Sequence, residues 1–501
     1  MKRTLGFLLR CLVFAVLLGL VLSRINRTLE PKYYLHEYYW PTTPTYTQFY
    51  DLERDSVDLL FLGSSVAQNE FIPQALYNEF GIRACNLSSE RQSPVLSYYW
   101  LKEALNYQSP KLVVLEALFL QNRYPEDPLN SSASLTRKAL DPMRWSSVKL
   151  EAVRDLCGRY RNQRELSFFL TNLRYHRRWP ELEADDFDTD EYLAPRLYGW
   201  APGVQEPETP RTPFRQSDAD DSYALRADMV EYLEKMAELC REKGVRLILV
   251  KTPQFVEEAP AIDLAYRRTA ERLGLDFYNF TEEALYRRLE LDPERERADD
   301  HGNLPGNQKV TRLMGELLTE RYGLTGTEDP RYEATRAPYA QICASYELPR
   351  TEDIDAYLRL LKQPGYAVLI SVRDEAVSGM RDSTKALLRE LGITTNWTVE
   401  DMYRRGFAAV IDDGQVIVQT ASERTGRPVT VSGSFHRGRY PFTITSAGYE
   451  NSGGAKSVIQ IGDEDCSVNS RGLNIVVFDL VTQRVVDAVC FDTYADSACK
   501  R

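Results

Sequence analysis

The sequence predicts an α/β protein built on a parallel sheet, with an apolar helix before it and a strand-rich α+β domain after it. Three observations lead to this class. Between residues 56 and 324, apolar runs of strand length alternate with amphipathic helices, a pattern typical of parallel strands covered on both faces. An apolar stretch of 20 residues lies near the N-terminus. Near residue 325 the alternation stops, and strand-like runs joined by tight turns begin.

Composition limits the possible functions. A chain of 501 residues is too long for one core and should divide into two or three domains. The net charge of −11, without a basic stripe, argues against a nucleic-acid-binding body. The eight cysteines include no CxxC pair and no zinc spacing, so neither a metal nor another cofactor is predicted. In an exported protein, disulfides and buried free thiols are equally open alternatives for Cys343, Cys466, Cys490 and Cys499.

The N-terminal segment predicts a membrane anchor. Residues Thr4–Ser23 are apolar except for Arg10, whose side chain can reach the near interface. A cleaved signal peptide is the alternative, but the flank lacks a small-x-small cleavage site. We therefore expect residues 1–27 to anchor a single-pass protein of the cell membrane, with the body outside the cytoplasm. The aromatic segment 28–55 is predicted to be a stalk or a lead-in to the first strand.

The first domain, residues 56–324, is predicted to alternate strands and helices in chain order. Strands are expected at Val57–Leu62, Arg83–Leu87, Lys111–Leu115, Val245–Val250 and Asp276–Asn279. Helices are expected at Ile72–Phe80, Ser93–Tyr107, Tyr223–Lys243, Ala261–Leu273 and Gly306–Tyr322. Ligands of such sheets bind beyond the carboxyl ends of the strands, so a site is expected in the loops that follow them.

Residues 122–222 interrupt this alternation. The segment is polar, rich in arginine and partly helical, which predicts an inserted cap or lid. Asp186, Asp188 and Asp190 are spaced like the start of a calcium loop, but positions six and twelve are Glu191 and Leu197. The acidic run is therefore predicted to be a solvated face.

The second domain is predicted to span residues 338–501, after a linker at 325–337. Asp413-Gly414 is a hairpin turn signal between two strand-like runs. The stretch "LNIVVFDLVTQRVVDAVCF" predicts a strand pair around a four-residue turn, and Asp382–Leu391 predicts a helix.

The candidate catalytic residues begin at Gly63-Ser64-Ser65, directly after the first predicted strand. Glycine permits a tight turn, and backbone N–H groups at the following helix start suit a developing oxyanion. A serine needs a nearby base to act as a nucleophile. Of the four histidines, His301 lies in the loop before the last helix of this domain, which can reach the same sheet edge. A simple helix cap is the alternative, but the matching histidine favours a catalytic pair.

These residues resemble a known family. Gly63-Ser64-Ser65 resembles the first block of the SGNH (GDSL-type) hydrolases, and His301, Asn303, Gly306 and Lys309 fit the spacing of their last block. The stretch "NLSSERQSPVLSYYWLKEALNYQSPKLVVLEAL" is similar to membrane-anchored members that modify surface polysaccharides and teichoic acids. The resemblance implies a flavodoxin-like fold, with Ser65 as nucleophile and His301 as base.

Several positions depart from the family pattern. The aspartate expected three residues before the histidine is Ala298, so that Asp299 or Asp300 would orient the imidazole, or the site would be a dyad. The oxyanion glycine falls near Ser88 or Ser89, where a backbone N–H remains.

Two further strand ends are candidate pocket positions. The third conserved block has no asparagine. The strand there ends in Glu116, which we expect to pair with an arginine. Thr252 either lines the pocket or simply ends a strand.

The second domain has its own resemblance, to the interleukin-like EMT inducer (PANDER-like) domain. It is carried by Arg471-Gly472-Leu473-Asn474, by Phe491-Asp492-Thr493-Tyr494 and by "VRDEA" from Val372. The two halves are in the reverse of the family's order, as in a circular permutation. The resemblance implies carbohydrate binding by analogy; a structural or protein-binding appendage is the alternative.

Two functions follow. The first is an anchored extracytoplasmic serine esterase or O-acyltransferase that acts on acyl esters of a cell-surface glycan, either alone or with a membrane acyl-transfer partner. The second is a non-catalytic surface protein that binds glycan or protein on a degenerate hydrolase scaffold. The distance between Ser65 and His301 discriminates between them, because a nucleophile and its base must lie within about one hydrogen bond.

Overall fold

The chain divides into two compact units, Met1–Glu333 (unit 1) and Ala334–Arg501 (unit 2). Their boundary lies inside the predicted linker, residues 325–337. The structure is a computed structural model, and it describes residues 2–31, 42–121, 133–160, 162–187, 197–203, 214–215, 222–253, 256–257, 259–298, 301–326 and 328–494.

Unit 1 begins with one long helix, α1 (Lys2–Leu29). Its apolar stretch has a mean hydropathy of 2.6, and none of that stretch is buried inside the molecule. The helix is therefore long and apolar enough to cross a membrane. The C-terminal end of the helix, in contrast, is covered by protein, since Thr28 and Leu29 are buried against the body of unit 1.

A five-stranded parallel sheet forms the centre of unit 1, as the apolar runs predicted. Its strands are β1 (Leu59–Leu62), β2 (Ala84–Asn86), β3 (Leu112–Glu116), β4 (Arg246–Lys251) and β5 (Asp276–Asn279). Their order is β2-β1-β3-β4-β5, and every neighbouring pair is parallel. The order reverses between β1 and β3, and this reversal marks the position at which open parallel sheets usually bind ligands.

Helices cover both faces of the sheet. They are α2 (Thr43–Thr47), α3 (Ser65–Glu70), α4 (Pro73–Phe80), α5 (Pro94–Ala104), α6 (Ala133–Leu140), α7 (Ser147–Arg159), α8 (Leu166–Phe169), α9 (Asn172–Tyr175), α10 (Ala227–Lys243), α11 (Pro260–Leu273), α12 (Glu283–Leu289), α13 (Leu304–Tyr322) and α14 (Pro330–Ala334). Short 3₁₀ turns occupy Gln48–Asp51, Leu118–Leu120, His176–Glu181 and Ala184–Phe187. Two-residue strands pair Phe214–Arg215 with Val256–Glu257, and Arg297–Ala298 with His301–Gly302.

Alternate residues of each strand enter opposite cores. Leu60 and Leu62 of β1 pack with α5 and α10 on one face, whereas Leu59 and Phe61 pack with α4 and α13 on the other. Each of these four side chains is fully buried. The sheet is therefore the rigid platform from which the loops at its carboxyl edge project.

The aromatic segment before the sheet is part of the core where it is described, and this corrects the predicted stalk or strand lead-in. Tyr46 and Phe49 are buried, and the Tyr46 ring stacks on Trp100 with 4.3 Å between ring centroids. Residues 32–41 lie outside the described part.

The predicted insertion also belongs to the body of unit 1 rather than forming a separate lid. Leu140 of α6 and Leu156 of α7 enter the main core. Asp186, expected on a solvated face, is buried and forms an ion pair with Arg178 at 2.8 Å. Asp188, Asp190 and Glu191 lie outside the described residues.

The end of the insertion covers the edge of the sheet. The Asn86 N–H of β2 donates to the Tyr198 carbonyl at 2.7 Å. The Tyr198 ring stacks on Tyr332 of α14 at 3.9 Å, so part of the predicted linker is packed structure. Trp200 Nε1 donates to the Asn69 carbonyl at 2.7 Å, which ties this segment to α3.

Unit 2 holds a nine-stranded sheet. Its strands are β6 (Tyr366–Asp374), β7 (Phe407–Asp412), β8 (Gln415–Ala421), β9 (Val429–Phe435), β10 (Tyr440–Gly448), β11 (Lys456–Ile461), β12 (Glu464–Asp465), β13 (Gly472–Asp479) and β14 (Arg484–Phe491). Its helices are α15 (Arg336–Glu347), α16 (Ile354–Leu360), α17 (Asp382–Glu390) and α18 (Val399–Met402), with a 3₁₀ turn at Leu348–Arg350. The two predicted strand pairs are present as β7–β8 and β13–β14.

The three stretches that carry the second resemblance meet at one end of this sheet. Val372 on β6 lies opposite Leu473 on β13. Arg471, just before β13, forms an ion pair with Asp492 after β14 at 2.7 Å. Residues distant in sequence are therefore adjacent in unit 2.

We predict that Gly199→Ala destabilises unit 1 more than Gly244→Ala. Both glycines have a positive φ, +87° and +70°, so each alanine carries a cost of about 1 kcal/mol for a left-handed backbone. A Cβ at Gly199 would lie 1.8 Å from the Asn86 carbonyl oxygen, whereas nothing lies within 4 Å of one at Gly244. Overpacking adds about 1–3 kcal/mol. Equal losses in denaturant unfolding would contradict the packing of residues 197–203 on β2.

Candidate active site

Ser65 occupies the first position of α3, at the carboxyl end of β1. Ser64 is the N-cap, and its Oγ accepts a hydrogen bond from the Val66 N–H at 3.3 Å. Gly63, with φ +153°, is required there because a Cβ would lie 2.7 Å from the Glu116 Cβ and 2.8 Å from the Ala67 Cβ. Ser65 is the one partly exposed residue among the buried residues 56–74. The turn therefore directs a single hydroxyl towards solvent.

His301 lies beside Ser65, although it belongs to the C-terminal part of the unit 1 sequence. It lies on a two-residue antiparallel hairpin, opposite Ala298. Asn307 of α13 fixes this hairpin, since its Nδ2 donates to the Gly302 carbonyl at 3.0 Å and to Asn69 Oδ1 of α3 at 3.1 Å. His301 Nε2 lies 2.9 Å from Ser65 Oγ. The two side chains are thus at hydrogen-bond distance although 236 residues separate them.

The remaining residues of the last block hold this loop in shape. The Asn303 side chain caps α13 by accepting from the Gly306 N–H at 3.4 Å, and its Nδ2 donates to the Arg295 carbonyl at 2.7 Å. A Cβ at Gly306 would lie 2.2 Å from the Glu296 carbonyl oxygen. Lys309 forms an ion pair with Glu296 at 2.7 Å. Asn303 is fully buried, so its role here is to position the histidine loop.

Glu116 contacts the serine turn, and the arginine partner expected for it is wrong. Its Oε2 accepts from Ser64 Oγ at 2.8 Å and from the Ser64 N–H at 3.3 Å, while Oε1 accepts from the Leu118 N–H at 2.6 Å. Burial raises the pKa of Glu116 to about 7, against the lowering effect of these hydrogen bonds. The carboxylate therefore joins the ends of β1 and β3 where the strand order reverses.

Glu70 and Arg297 form a buried ion pair that the sequence did not indicate. Glu70 is fully buried at the end of α3, and its Oε1 lies 3.6 Å from Nη1 of Arg297, which begins the histidine hairpin. Burial raises the pKa of Glu70, while Arg297, Thr252 and His301 favour its ionised form. The pair connects the helix that carries Ser65 to the hairpin that carries His301. No spacing in the sequence marks it, because its members are joined only by the fold.

The other predicted site residues are either buried near the Ser65–His301 pair or lie outside the described residues. Ser88 and Ser89 are fully buried just beyond β2, at the carboxyl edge that β2 shares with β1. Thr252 is also fully buried, so it does not line an open pocket, and it lowers the pKa of the nearby Glu70 carboxyl. Asp299 and Asp300 lie outside the described residues.

All of the described cysteines are free thiols, and His176 is the one described histidine of unit 1 besides His301. Seven cysteines are free thiols, and Cys499 lies outside the described residues. His176 is exposed and contacts the Leu173 carbonyl at 3.0 Å through Nδ1. His436 lies in the turn between β9 and β10 of unit 2, and His36 lies outside the described residues.

Comparison with known proteins does not assign a family. No protein-family model matches the sequence, and a search of curated proteins finds no match.

We predict that Glu116→Gln flattens the pH dependence of stability of unit 1. The pKa of the carboxyl is about 7 in the folded chain, above its ordinary value of 4.5, so the folded state holds the proton more tightly. Its contribution is complete below the unfolded value and is lost as the pH rises through the folded value. The loss is on the order of 3 kcal/mol, since each unit of pKa corresponds to about 1.4 kcal/mol.

Calorimetric unfolding between about pH 5 and pH 8 measures this effect. The wild-type chain should lose more stability across that window than the variant, whatever the absolute stability of the variant. Parallel profiles would show that Glu116 does not titrate there.

A double-mutant cycle tests the Glu70–Arg297 pair. Glu70→Met alone should cost about 3–5 kcal/mol, because it breaks a buried ion pair by removing one of its members. Adding Arg297→Met should restore much of this loss, because two apolar side chains replace the pair. Urea unfolding of the three variants gives the coupling energy. Additive losses would contradict a direct interaction.

Proposed function

We propose that this protein is a membrane-anchored, extracytoplasmic serine esterase or O-acyltransferase that acts on acyl esters of a cell-surface glycan. The observation that carries the proposal is the 2.9 Å approach of Ser65 Oγ to His301 Nε2. Its position adds support, since Ser65 follows β1 where the strand order reverses, which is the usual ligand position in open parallel sheets. The order β2-β1-β3-β4-β5 also supports a flavodoxin-like SGNH scaffold.

The proposed reaction uses groups already in place. Ser65 Oγ attacks the ester carbonyl as its proton passes to His301 Nε2. The backbone N–H groups of Ser65 and of Ser88 or Ser89 hold the oxyanion. Collapse of the tetrahedral intermediate releases the alcohol, which takes the proton from His301. The acyl group then passes from Ser65 to water in an esterase, or to a glycan hydroxyl in a transferase.

The anchor and the second unit extend this proposal. The burial of Thr28 and Leu29 against the body supports a helix α1 that remains attached after export. Unit 2 would bind the polymer, by analogy with PANDER-like domains. The adjacency of Val372, Leu473 and the Arg471–Asp492 ion pair supports that relationship.

Acetyl-ester turnover by the full chain tests the catalytic pair. We expect hydrolysis of p-nitrophenyl acetate to fall about 10³-fold or more in Ser65→Ala, and about 10²–10⁴-fold in His301→Gln because the general base is lost. His176→Gln is the matched control, since that histidine is exposed elsewhere. Adding glycan acceptors separates transfer from hydrolysis.

Equal rates in wild type and Ser65→Ala would overturn the enzymatic proposal. The same chain would then be a binding protein on a hydrolase-like scaffold.

A further inference from the structure

One surface of unit 1 is strongly apolar although it belongs to no core. It consists of Trp145, Leu166, Phe169, Leu170, Leu173 and Trp179, which we call the apolar patch. Their exposed fractions range from 39% at Leu170 to 59% at Leu166. Outside α1, Phe187 and Leu264 are the other large hydrophobic residues exposed among the described residues of unit 1. Soluble proteins rarely expose apolar side chains in such a group without a partner.

The patch is built from two adjoining short helices and the segment before α7. Leu166 and Phe169 lie one turn apart on α8, Leu170 follows that helix, and Leu173 lies on α9. The Trp145 ring adjoins them, because it stacks on Phe169 with 4.7 Å between ring centroids. Phe168 of α8 is buried, so these other side chains form the outward side of the segment.

The end of α1 docks directly beside the patch. The Asn172 N–H of α9 donates to Asn26 Oδ1 at 3.1 Å. Arg178, next to Trp179, donates through Nη1 to the Leu29 carbonyl at 2.6 Å. The exposed large hydrophobic residues of α1 run from Leu5 to Val21.

The geometry of α1 sets the height of the patch. From Val21 to Asn26 the helix rises about 8 Å, at about 1.5 Å per residue. The headgroup layer of a bilayer is about 5–8 Å thick on each side. If α1 spans the membrane, α9 therefore lies at the level of the headgroups, where tryptophan is enriched.

We infer that the apolar patch inserts into the surface of the same bilayer that α1 spans. The inference rests on the anchoring part of the proposed function and is independent of the chemistry at Ser65. Charges near the patch have both signs, since Arg164 and Arg177 are exposed on the same segment as Glu165 and Glu181. Insertion therefore depends on apolar contact, and zwitterionic phosphatidylcholine suffices as the lipid.

Tryptophan quenching tests the inference on the full chain. Trp100, Trp200 and Trp397 are buried, whereas Trp145 and Trp179 are 51% and 52% exposed. All proteins carry Trp40→Phe, which removes a residue outside the described part. They are reconstituted in phosphatidylcholine vesicles with or without brominated acyl chains, and flotation with the vesicles reports anchoring.

We expect brominated lipid to quench the parent protein, and Trp145→Phe/Trp179→Phe to lose at least half of that quenching. Trp397→Phe, which removes a buried ring of unit 2, should retain it. A chain that floats but whose quenching is unaffected by the double substitution overturns the inference. A loss of tryptophan fluorescence that is equal in vesicles with and without brominated lipid also overturns the inference, and it indicates self-association of the protein. A chain that does not float refutes the anchor, while turnover at Ser65 remains measurable separately.

Discussion

The site depends on how closely α3 approaches the hairpin at residues 297–302. Ser65 begins that helix and His301 lies on that hairpin, and neither element has a core of its own. Two interactions flank the Ser65–His301 pair. The Asn307 amide bridges the Gly302 carbonyl to Asn69, and the Glu70–Arg297 ion pair joins the opposite end of the helix to the start of the hairpin. Both connections are buried, so water does not compete with them.

Carboxylates are concentrated beneath this site. Glu70 and Glu116 are both buried, and each has a raised pKa caused mainly by burial. Their mutual repulsion further raises the pKa of Glu116. Such buried acids cost stability unless hydrogen bonds and counter-charges satisfy them. Ser64 and Arg297 supply these, and as a result the loops after β1 and β3 are fixed in one arrangement.

The sequence predicted the central strands of the parallel sheet well, because β1, β3 and β4 are short apolar runs between helices. The strand at Asp276–Asn279 was predicted with its observed ends. Ser65 and His301 were singled out because one follows the first strand and the other precedes the last helix of the domain, and the family resemblance implied their roles. Strands β9–β12 in unit 2 were not placed, because their buried, half-buried and exposed residues are interspersed and form no continuous apolar run.

The sequence did not predict the interaction partners of the buried carboxylates. Glu116 was predicted to pair with an arginine. It instead accepts hydrogen bonds from Ser64, which follows β1, and from Leu118, which follows β3. Glu70 was not singled out at all. A buried carboxylate finds its partner through the fold, and neither spacing nor composition encodes that choice. The aromatic segment at Tyr46 and Phe49 was predicted to be either a stalk or a lead-in to the first strand, and its stacking on Trp100 excludes the stalk.

If α1 anchors the proposed catalyst in a membrane, the burial of Thr28 and Leu29 against unit 1 limits where it works. An enzyme on a long flexible tether would reach polymer at many distances from the membrane. Docking of the end of α1 on unit 1 would instead hold Ser65 at a nearly constant height above the lipid. Substrates would be confined to glycan still close to its point of assembly or attachment, and polymer in the outer layers of the envelope would be beyond reach.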